Sequence, residues 1–477
     1  MVPYELPDTP AQGFTPNRGR RKRVVVIGAG IAGLVAGMEL ARQRHEPVIL
    51  EAQTRVGGRV HTLRNFAPGL YAEAGAMRIP QAHELTLAYC RSFGLELRPF
   101  HMECTTAPVY IAGRRTSRDH LYLNYSLGDP SPKGTGLGRT YSELLRDVMG
   151  ELQAVRQSEG DVAAIDFLAG RYGKYSIRDF LIEQGLSEDA IELYGLMSLR
   201  EANMNSSVVE HLREILGRAF EDMQEIVGGM DRLPNAFYRY LRRHIRLGAQ
   251  VLSVEQDENG VTVHYKSKGK VLSERGDYCI CTVPFGVLRH FDFRPPLSRG
   301  KYRAIRSLNY NPSTKIFLQV RRRFWEEKGI VGGSTPTDLP IRRIVYPSYS
   351  SPEEERGVLL ASYTWGQDAA RWGALNSDDR ILLALKDVAK VYPEVIDEVE
   401  GGTSYAWYND DPFAVGAFAL FEPGQEMLLH KDIVKPEGRV YFAGEHCSLW
   451  HAWIQGALES GIAAALSVHD APPGKGE

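Results

Sequence analysis

A glycine pattern at the end of a β-branched run constrains the fold of this chain more than any other feature of its sequence. Residues 24–27 are Val-Val-Val-Ile, and residues 28–33 follow as Gly-Ala-Gly-Ile-Ala-Gly. A continuous apolar run of this kind is typical of a strand that is buried on both faces. A helix is predicted for residues 31–43 and a second buried strand for residues 47–50. Together these segments predict a β-α-β unit of about 30 residues.

Three glycines and one acidic residue give this unit the spacing of a dinucleotide-binding site. Gly28 permits the turn, Gly30 lets a diphosphate approach the backbone, and Gly33 lets the helix pack on the strand. The diphosphate then lies at the helix N-terminus, where free N–H groups and the helix dipole favour an anion. Glu51 ends the second strand, 23 positions after Gly28, and can accept hydrogen bonds from ribose hydroxyls. The unit therefore predicts dinucleotide binding, and a chance glycine turn is the alternative.

A second glycine turn follows directly after the acidic residue. Residues 55–59 are Arg-Val-Gly-Gly-Arg, so the turn offers more N–H groups and the guanidiniums of Arg55 and Arg59 to the same diphosphate. A solvated basic loop is the alternative interpretation. The run resembles the GG motif of two-dinucleotide-binding flavoproteins, and this resemblance favours FAD over NAD.

Composition excludes several other classes of protein. The chain has 57 Lys and Arg against 59 Asp and Glu, a net charge of −2 that excludes a basic nucleic-acid surface. No apolar stretch reaches the length of about 18 residues that a membrane span needs, and residues 1–19 lack the apolar core of a secretory signal. Cys279 and Cys281 are expected as two buried thiols on one strand face rather than as a metal pair. We therefore expect a cytoplasmic protein with no metal site, no membrane segment and no nucleic-acid partner.

Five further segments carry a resemblance that extends over nearly the whole chain. From about residue 22 onward, the sequence resembles the flavin amine oxidase superfamily and, within it, the L-amino acid oxidases. The segments are GAMRIP (75–80), IVGGMDRLP (226–234), TKIFL (314–318), FWEEKGIVGG (324–333) and YFAGEHCSLWHAWIQGALESG (441–461). A colinear series of this kind is specific for the family and less specific for the substrate.

The resemblance implies which residues bind and oxidise the substrate. Arg78 matches the arginine that pairs with a substrate α-carboxylate, and guanidinium and carboxylate fit together as a bidentate pair. Tyr363 matches the tyrosine that supports this arginine. Lys315 matches the lysine that holds a water over flavin N5, although a strand lysine usually extends its head into solvent. Ala452 and Trp453 match the positions that flank the substrate.

The resemblance also implies how FAD is held. Glu445 matches the carboxylate that meets the ribityl chain and diphosphate, and the main chain of Val251 matches the valine that contacts adenine. Trp453 and Ile454 open the last helix, so their N–H groups can face the pyrimidine edge of the flavin. The expected cofactor-binding set is Gly28, Gly30, Ile31, Ala32, Gly33, Glu51, Ala52, Arg55, Gly58, Arg59, Gly75, Ala76, Met77, Arg78, Val251, Gly444, Glu445, Trp453 and Ile454.

One helical segment departs from the family pattern. L-amino acid oxidases carry a histidine, proposed as a base, in the segment that matches residues 210–217, where this chain has Arg213 or Glu214. We therefore expect no catalytic histidine. If Glu214 faces the substrate side chain, the pocket has an acidic end that suits Arg or Lys. If Arg213 faces it, or if both face solvent, large neutral side chains are favoured. The sequence favours a pocket for large side chains, basic ones included, and the tryptophans expected around it are Trp365, Trp450 and Trp453.

The fold expected from the patterns and the resemblance combines α/β and α+β domains. At roughly 150 residues per domain the chain length suggests about three units. Residues 116–229 have helical spacing, with possible capping boxes at Thr140–Glu143 and Ser176–Asp179 after a loop at 128–138, and an Asn-Gly hairpin turn lies at 259–260. The expected units are a Rossmann-like, GR2-type FAD-binding domain (20–60, 230–300 and 430–477), a mixed-sheet substrate-binding domain (61–115 and 314–429), an inserted helical domain (116–229) and a flexible N-terminal segment (1–19).

We therefore expect an FAD-dependent L-amino acid oxidase that acts as a homodimer or higher homo-oligomer. Its reaction would convert an L-amino acid and O2 into a 2-oxo acid, ammonia and H2O2. An amine or polyamine oxidase is an alternative that Arg78 and Tyr363 argue against, because a plain amine has no carboxylate. An amino acid 2-monooxygenase is an alternative that the sequence leaves open. The non-enzymatic alternative is a flavin-binding redox sensor.

The sequence predicts that FAD is bound without a covalent bond. The SGGC context of the cysteine that carries flavin in mammalian-type monoamine oxidases is absent. Acid or heat precipitation of the purified yellow protein should therefore release its flavin into the supernatant, where absorbance measures it. Flavin that remains on the denatured polypeptide would contradict the prediction.

Overall fold

A computed structural model of the chain describes residues 9–17, 19–117, 137–350 and 354–472. Its strands, in chain order, are β1 (Arg23–Ile27), β2 (Glu46–Glu51), β3 (Thr62–Leu63), β4 (Ala72–Glu73), β5 (Leu97–Pro99), β6 (Val109–Ile111), β7 (Arg114–Thr116), β8 (Gln224–Ile226), β9 (Ile245–Leu247), β10 (Gln250–Gln256), β11 (Val261–Ser267), β12 (Lys270–Gly276), β13 (Tyr278–Cys281), β14 (Asp292–Arg294), β15 (Tyr310–Asn311), β16 (Ser313–Val320), β17 (Ser334–Pro336), β18 (Arg343–Val345), β19 (Gly357–Trp365), β20 (Val399–Ala406), β21 (Phe418–Ala419) and β22 (Val440–Phe442).

The described helices, again in chain order, are α1 (Ile31–Arg42), α2 (Glu84–Ser92), α3 (Leu137–Glu159), α4 (Asp161–Tyr172), α5 (Ile177–Glu183), α6 (Glu188–Ser198), α7 (Val208–Leu216), α8 (Arg232–Leu241), α9 (Phe285–Leu288), α10 (Arg299–Ser307), α11 (Gly366–Gly373), α12 (Ser377–Val391), α13 (Val395–Glu398), α14 (Gln425–Val434) and α15 (Ile454–Asp470). None of these described helices combines the length and the apolar character needed to cross a bilayer.

The first sheet is parallel and takes its strands from three distant parts of the chain. Its strand order is β22-β13-β1-β2-β9, and each of these pairings is parallel. Val24, Val25 and Val26 in β1 are completely buried, as expected for a strand with helices or other sheets on both faces. The predicted β-α-β unit is confirmed.

Glycines allow α1 to approach its neighbours closely. A Cβ on Gly33 would lie 2.0 Å from the carbonyl oxygen of Gly28, at the end of β1. A Cβ on Gly461 in α15 would lie 2.5 Å from the carbonyl oxygen of Ala32. Either contact is too short for a real side chain, so α1 can pack on both β1 and α15 only because these positions are glycine. The N-terminus of α1 is thereby fixed at the edge of the sheet.

The predicted hairpin forms the middle of a second, four-stranded sheet. β10 and β11 are antiparallel, with Gln256 opposite Val261, in a sheet with order β12-β11-β10-β14. The connection is four residues long, because Asp257 Oδ1 accepts hydrogen bonds from the N–H groups of Asn259 and Gly260 at 2.8 and 3.0 Å. The Asn-Gly pair therefore marks the correct hairpin, inside a longer turn than two residues.

A five-stranded sheet of order β17-β18-β19-β16-β20 lies in the C-terminal half of the chain. The pairings of these five strands are antiparallel, and a parallel bridge joins β6 to the residue that follows β17. Trp325, Phe324 and Tyr346 form part of its buried core. The register pairs Lys315 with Tyr363 on adjacent strands, so two predicted site residues are neighbours. The expected α/β and α+β class is confirmed.

Helices α3 to α7 form a separate apolar core that includes Leu152, Phe180 and Leu212. Ser176 caps α5 with a complete capping box to Asp179, as predicted. α3 begins at Leu137, so the predicted loop ends two residues earlier than 138, and its remainder at 128–136 lies outside the described residues. The side chains of the other predicted capping box, Thr140 and Glu143, also lie outside the described residues.

Part of the N-terminal segment contacts the first sheet's helices. Thr9 Oγ1 donates a hydrogen bond to Glu39 Oε1 at 2.8 Å, and Asn17 Nδ2 donates one to the carbonyl of Gln43 at 3.1 Å. Phe14 packs against the core around α1 and α15. The sequence predicts a flexible segment over residues 1–19, whereas residues 9–17 have specific contacts; residues 1–8 and 18 lie outside the described residues. The division of the chain into three domains stays a prediction.

The second and third glycines of the first turn, Gly30 and Gly33, should respond differently to an added methyl group. Gly33→Ala forces Cβ against the Gly28 carbonyl and should destabilise the protein by roughly 1–3 kcal/mol. At Gly30 the backbone is extended, with φ −71°, and no atom lies within 4 Å of an added Cβ. Gly30→Ala should therefore leave thermal unfolding of the cofactor-free protein unchanged but weaken dinucleotide binding. Equal losses of melting temperature in the two variants would contradict this difference.

Candidate active site

One cavity of about 630 Å³ brings together most of the residues that the sequence predicts. It is bounded by the carboxyl ends of the first sheet, by the five-stranded sheet and by the helical segment. The predicted residues that line it are Gly28, Gly30, Ile31, Ala32, Glu51, Ala52, Gly58, Arg59, Gly75, Ala76, Met77, Arg78, Glu214, Val251, Lys315, Tyr363, Trp365, Gly444, Glu445, Ala452, Trp453 and Ile454.

Three predicted residues do not line this cavity. Gly33 packs against β1, as described above. Arg55 turns away from the cavity, where Nη1 donates to the Gly58 carbonyl at 2.8 Å and Nη2 lies 3.6 Å from Asp411 Oδ2. Trp450 packs beside His83, with ring centroids 5.4 Å apart. Arg59 therefore lines the cavity, whereas Arg55 stabilises the glycine turn. Contact of these guanidiniums with a diphosphate stays a prediction.

The dinucleotide end of the cavity is organised by Glu51. Its two carboxylate oxygens accept hydrogen bonds from the N–H groups of Ala29 and Gln53 at 2.7 and 2.8 Å. Burial raises the pKa of Glu51, and these two backbone donors oppose the shift. The acidic side chain is thus held rigidly at the cavity wall, next to the open face of Gly30 and on the same wall as Val251. Open backbone at Gly30 together with an acceptor at Glu51 fits the diphosphate and ribose of a dinucleotide.

Glu445 connects the dinucleotide end of the cavity to its other end. Arg59 Nη1 donates to Glu445 Oε1 at 2.8 Å, and the N–H of Ala452 donates to Oε2 at 3.0 Å. Burial alone would raise the pKa of Glu445, but Arg59 and the nearby His451 and His446 hold it below its usual value. Ala452 has a positive φ of 67°, a strained conformation that persists where the surroundings fix it. The loop before α15 is therefore set by an ionised, buried carboxylate.

Lys315 is buried and its ammonium group is held by backbone carbonyls. Nζ donates hydrogen bonds to the carbonyl oxygens of Glu73 at 2.9 Å and Gly75 at 2.7 Å. It also lies 4.8 Å from the centre of the Tyr363 ring. Burial lowers the pKa of Lys315 to about 7, a shift that Glu73 opposes and Arg78 increases. A lysine with this pKa can gain or lose a proton near neutral pH, as acid–base groups in active sites do.

Arg78 carries a charge that lacks an ionic partner in the described part of the chain. Its guanidinium lies in the cavity wall, 5.8 Å from the centre of the Phe100 ring. Among the residues that the structure describes, none forms a hydrogen bond or an ion pair with it. Burial lowers the pKa of Arg78, and the charge of Glu214 opposes this only in part. A guanidinium in this environment is suited to an anionic ligand.

The helical segment presents Glu214 to the cavity, and not Arg213. Arg213 is buried in a close ion pair with Glu426, and its Nη1 donates to the Leu449 carbonyl at 3.2 Å. Glu214 lines the cavity, where its Oε1 accepts a hydrogen bond from Trp453 Nε1 at 3.1 Å. The sequence left open whether Arg213 or Glu214 faces the cavity, and in the structure it is Glu214.

Sequence reasoning did not identify Arg200, Glu210 and His451, which also line the cavity. Arg200 Nη2 donates to Glu214 Oε2 at 2.7 Å, so the acidic end of the pocket is neutralised. His451 Nδ1 lies 2.7 Å from Glu210 Oε1. Although burial disfavours a charged imidazole, Glu210 raises the pKa of His451. Helical spacing of four between Glu210 and Glu214 could have indicated that both face one side, but no local signal marks Arg200.

The described residues fit FAD at both ends of the cavity. Glu51, the open Gly30 backbone and Val251 suit an adenosine diphosphate group. Lys315 and the N-terminus of α15, with Trp453 as its N-cap residue, suit a flavin ring that gains negative charge on reduction. The cavity passes between these ends past Arg59 and Glu445.

Comparison with known proteins supports the same family assignment. The sequence model described as flavin containing amine oxidoreductase matches residues 31–469. The chain is 39% identical over 463 residues to YobN of Bacillus subtilis (strain 168), which is named provisionally as an L-amino-acid oxidase. The alignment covers 94% of this chain and 95% of that protein. The chain is 35% identical over 469 residues to the L-amino-acid oxidase of Siganus canaliculatus, with 96% and 87% covered.

Solved structures share the fold at lower sequence identity. A putrescine oxidase bound to putrescine superposes with a TM-score of 0.75 and 19% identity, covering 94% of this chain and 99% of that one. Cyclohexylamine oxidase from Brevibacterium oxydans gives a TM-score of 0.74 with 20% identity and the same coverage. With the family match spanning most of the sequence and a cavity that fits FAD, this chain belongs to the flavin containing amine oxidoreductase family and is an FAD-dependent oxidoreductase.

Proposed function

We propose that this protein is an L-amino acid oxidase, which converts L-amino acids and O2 into 2-oxo acids, ammonia and H2O2. The observation that carries the proposal is the Arg78 guanidinium, which lines the cavity and has no ionic partner among the described residues. The relatives named above as L-amino-acid oxidases support it.

The α-carboxylate of an amino acid supplies what Arg78 lacks. A buried charge costs free energy until an opposite charge and hydrogen bonds compensate it. A carboxylate offers two oxygens to the planar guanidinium, and the pair forms two parallel hydrogen bonds. Tyr363 shares the wall with Arg78 and can add a third donor. An amine without a carboxylate would leave the Arg78 charge uncompensated, which argues against an amine or polyamine oxidase.

The remaining chemistry divides between cofactor and protein. When bound, FAD would accept the α-hydrogen together with its bonding electron pair and would pass the two electrons to O2. Arg78 orients the substrate, while the walls of the cavity exclude water. Lys315 can hold a proton or a water beside the reacting atoms, because its pKa lies near neutrality. The neutral amine is the reacting form, so that no strong base is required.

The substrate side chain favoured by the cavity is large and neutral. Trp365, Trp453 and Phe220 contribute aromatic surface to the wall. Glu214 faces the cavity, but Arg200 neutralises it at 2.7 Å. Basic side chains, which the sequence also favours, would meet this second cation. We therefore propose Phe, Tyr, Leu or similar side chains as the preferred class.

Two alternatives are separated from the proposal by simple measurements. An amino acid 2-monooxygenase would yield an amide with loss of CO2, whereas the oxidase yields the 2-oxo acid, and product analysis distinguishes them. A flavin-binding redox sensor would not be bleached by L-amino acids in the absence of O2. Anaerobic bleaching of the flavin band is therefore the first experiment, and an unbleached spectrum with all twenty L-amino acids would refute the proposal.

Arg78→Met tests the carboxylate site. The substitution removes the charge and the paired donors but approximately keeps the length, and should cost about 2–5 kcal/mol in transition-state binding. That corresponds to a loss of kcat/KM of roughly 30-fold to several thousand-fold. Turnover of the decarboxylated amine of the same substrate should not fall comparably. If oxidation of amino acids survives within a few-fold, Arg78 does not bind the carboxylate.

Lys315 should give the oxygen half-reaction a pH dependence. Because its pKa is lowered from 10.5 to about 7, Lys315 is cationic below that pH and loses its charge as the pH rises through it. A cation near oxygen favours transfer of negative charge to it, so reoxidation should slow as the pH rises from 6 to 8. Lys315→Met should slow reoxidation by about tenfold or more, remove this pH dependence, and affect flavin reduction less. Stopped-flow rates that are flat with pH in the unmodified enzyme would contradict the role.

A further inference from the structure

The Arg200–Glu214 ion pair is held in the cavity wall by hydrogen bonds and is largely buried. Arg200 Nη2 donates to Glu214 Oε2 at 2.7 Å, and Trp453 Nε1 donates to the other carboxylate oxygen at 3.1 Å. The side chains of Arg200 and Glu214 are only 12% and 18% exposed, and all three residues line the cavity. A pair with this burial is screened much less than a surface pair.

Both partners are held in place by the backbone and by aromatic rings. Arg200 follows Leu199, which ends α6 in a left-handed conformation with φ 61°. The N–H of Arg200 donates to the Gly195 carbonyl at 3.0 Å, and the Arg200 guanidinium lies 5.4 Å from the centre of the Phe220 ring. Glu214 is in the last turn of α7, adjacent to the indole of Trp453. The two charges therefore meet at a fixed position beside the residue that the resemblance assigns to the substrate.

The other charged residues near this part of the described cavity are already engaged. Glu210 is paired with His451, and Lys315 is held by carbonyl oxygens. Under the proposed function, Arg78 is taken by the substrate α-carboxylate. Arg200 and Glu214 are therefore the charges that remain available to a substrate side chain, and in the free enzyme they neutralise each other.

We infer that this pair determines substrate specificity by excluding charged side chains of either sign. A basic side chain would be repelled by Arg200 and would have to displace Arg200 in order to reach Glu214. An acidic side chain would be repelled by Glu214 and would have to displace Glu214 in order to reach Arg200. Discrimination arises from the unfavourable charge left behind as much as from new contacts. The inference rests on the proposed function, because it takes an L-amino acid as the substrate.

Opposite single substitutions should change the specificity in opposite directions. Arg200→Met leaves Glu214 without its cation, and should raise the ratio of kcat/KM for Lys or Arg over Phe by about tenfold or more. Glu214→Gln leaves Arg200 without its anion, and should raise the ratio for Glu over Phe by a similar factor. The double variant Arg200→Met/Glu214→Gln has no charge at this position and should return to a preference for neutral side chains. Arg200→Lys keeps the charge and should keep the unmodified profile.

The outcomes separate this inference from the function on which it rests. If the unmodified enzyme oxidises no L-amino acid, the proposed function fails. If it oxidises Phe or Leu but both single variants keep its selectivity ratios, the function stands and the pair is only structural. An unmodified enzyme that prefers Lys, Arg or Glu over Phe would also overturn the inference. Flavin absorbance and the melting temperature of each variant establish that it is folded. If one single variant unfolds, the selectivity ratios of Arg200→Lys and of the double variant are compared instead.

Discussion

The buried carboxylate of Glu445 is the interaction on which the cavity depends. Its donors are the guanidinium of Arg59 and the N–H groups of Ala419 and Ala452, so one charge joins three parts of the chain that are far apart in sequence. Burial opposes its ionisation, yet the surrounding cations keep its pKa low. An ionised carboxylate in such a site is stable only while all of its donors stay in place. This requirement fixes the loop before α15 and thus the helix N-terminus that lines the cavity.

Most other charges in the cavity wall are compensated by the protein, but the charge of Arg78 is not. Glu445, Glu214 and Glu210 each have a basic partner, and Glu51 and Lys315 are held by backbone groups. Arg78 has no ionic partner among the described residues. An anionic ligand in the cavity would compensate that guanidinium, so the protein is complementary to its proposed substrate before binding. The compensated pairs are Arg59–Glu445, Arg200–Glu214, Glu210–His451 and Arg213–Glu426.

Local sequence patterns predicted the secondary-structure elements. Contacts between distant residues determined which side chains face the cavity, and these contacts could not be predicted from local patterns. The β-α-β unit and the hairpin at Asn259 follow from backbone preferences within a few residues, and most of the expected site residues do line one cavity. Arg55 and Arg59 have the same local signal, and contacts with Asp411 and Glu445 decide which one faces the cavity. Arg200 is 14 residues from Glu214, in a turn without a motif.

The groups proposed for chemistry and those proposed for specificity lie on different parts of the fold. Lys315 is held by the carbonyls of Glu73 and Gly75, in the segment that leads to Arg78. A Cβ on Gly75 would lie 1.8 Å from the carbonyl oxygen of Arg59, so this segment is packed directly on the cofactor-binding turn and cannot move independently. Arg200 and Glu214 instead lie on the helical segment, which has its own apolar core. Substitutions at Arg200 and Glu214 can therefore change the charge in this part of the cavity while Lys315 and Arg78 keep their positions.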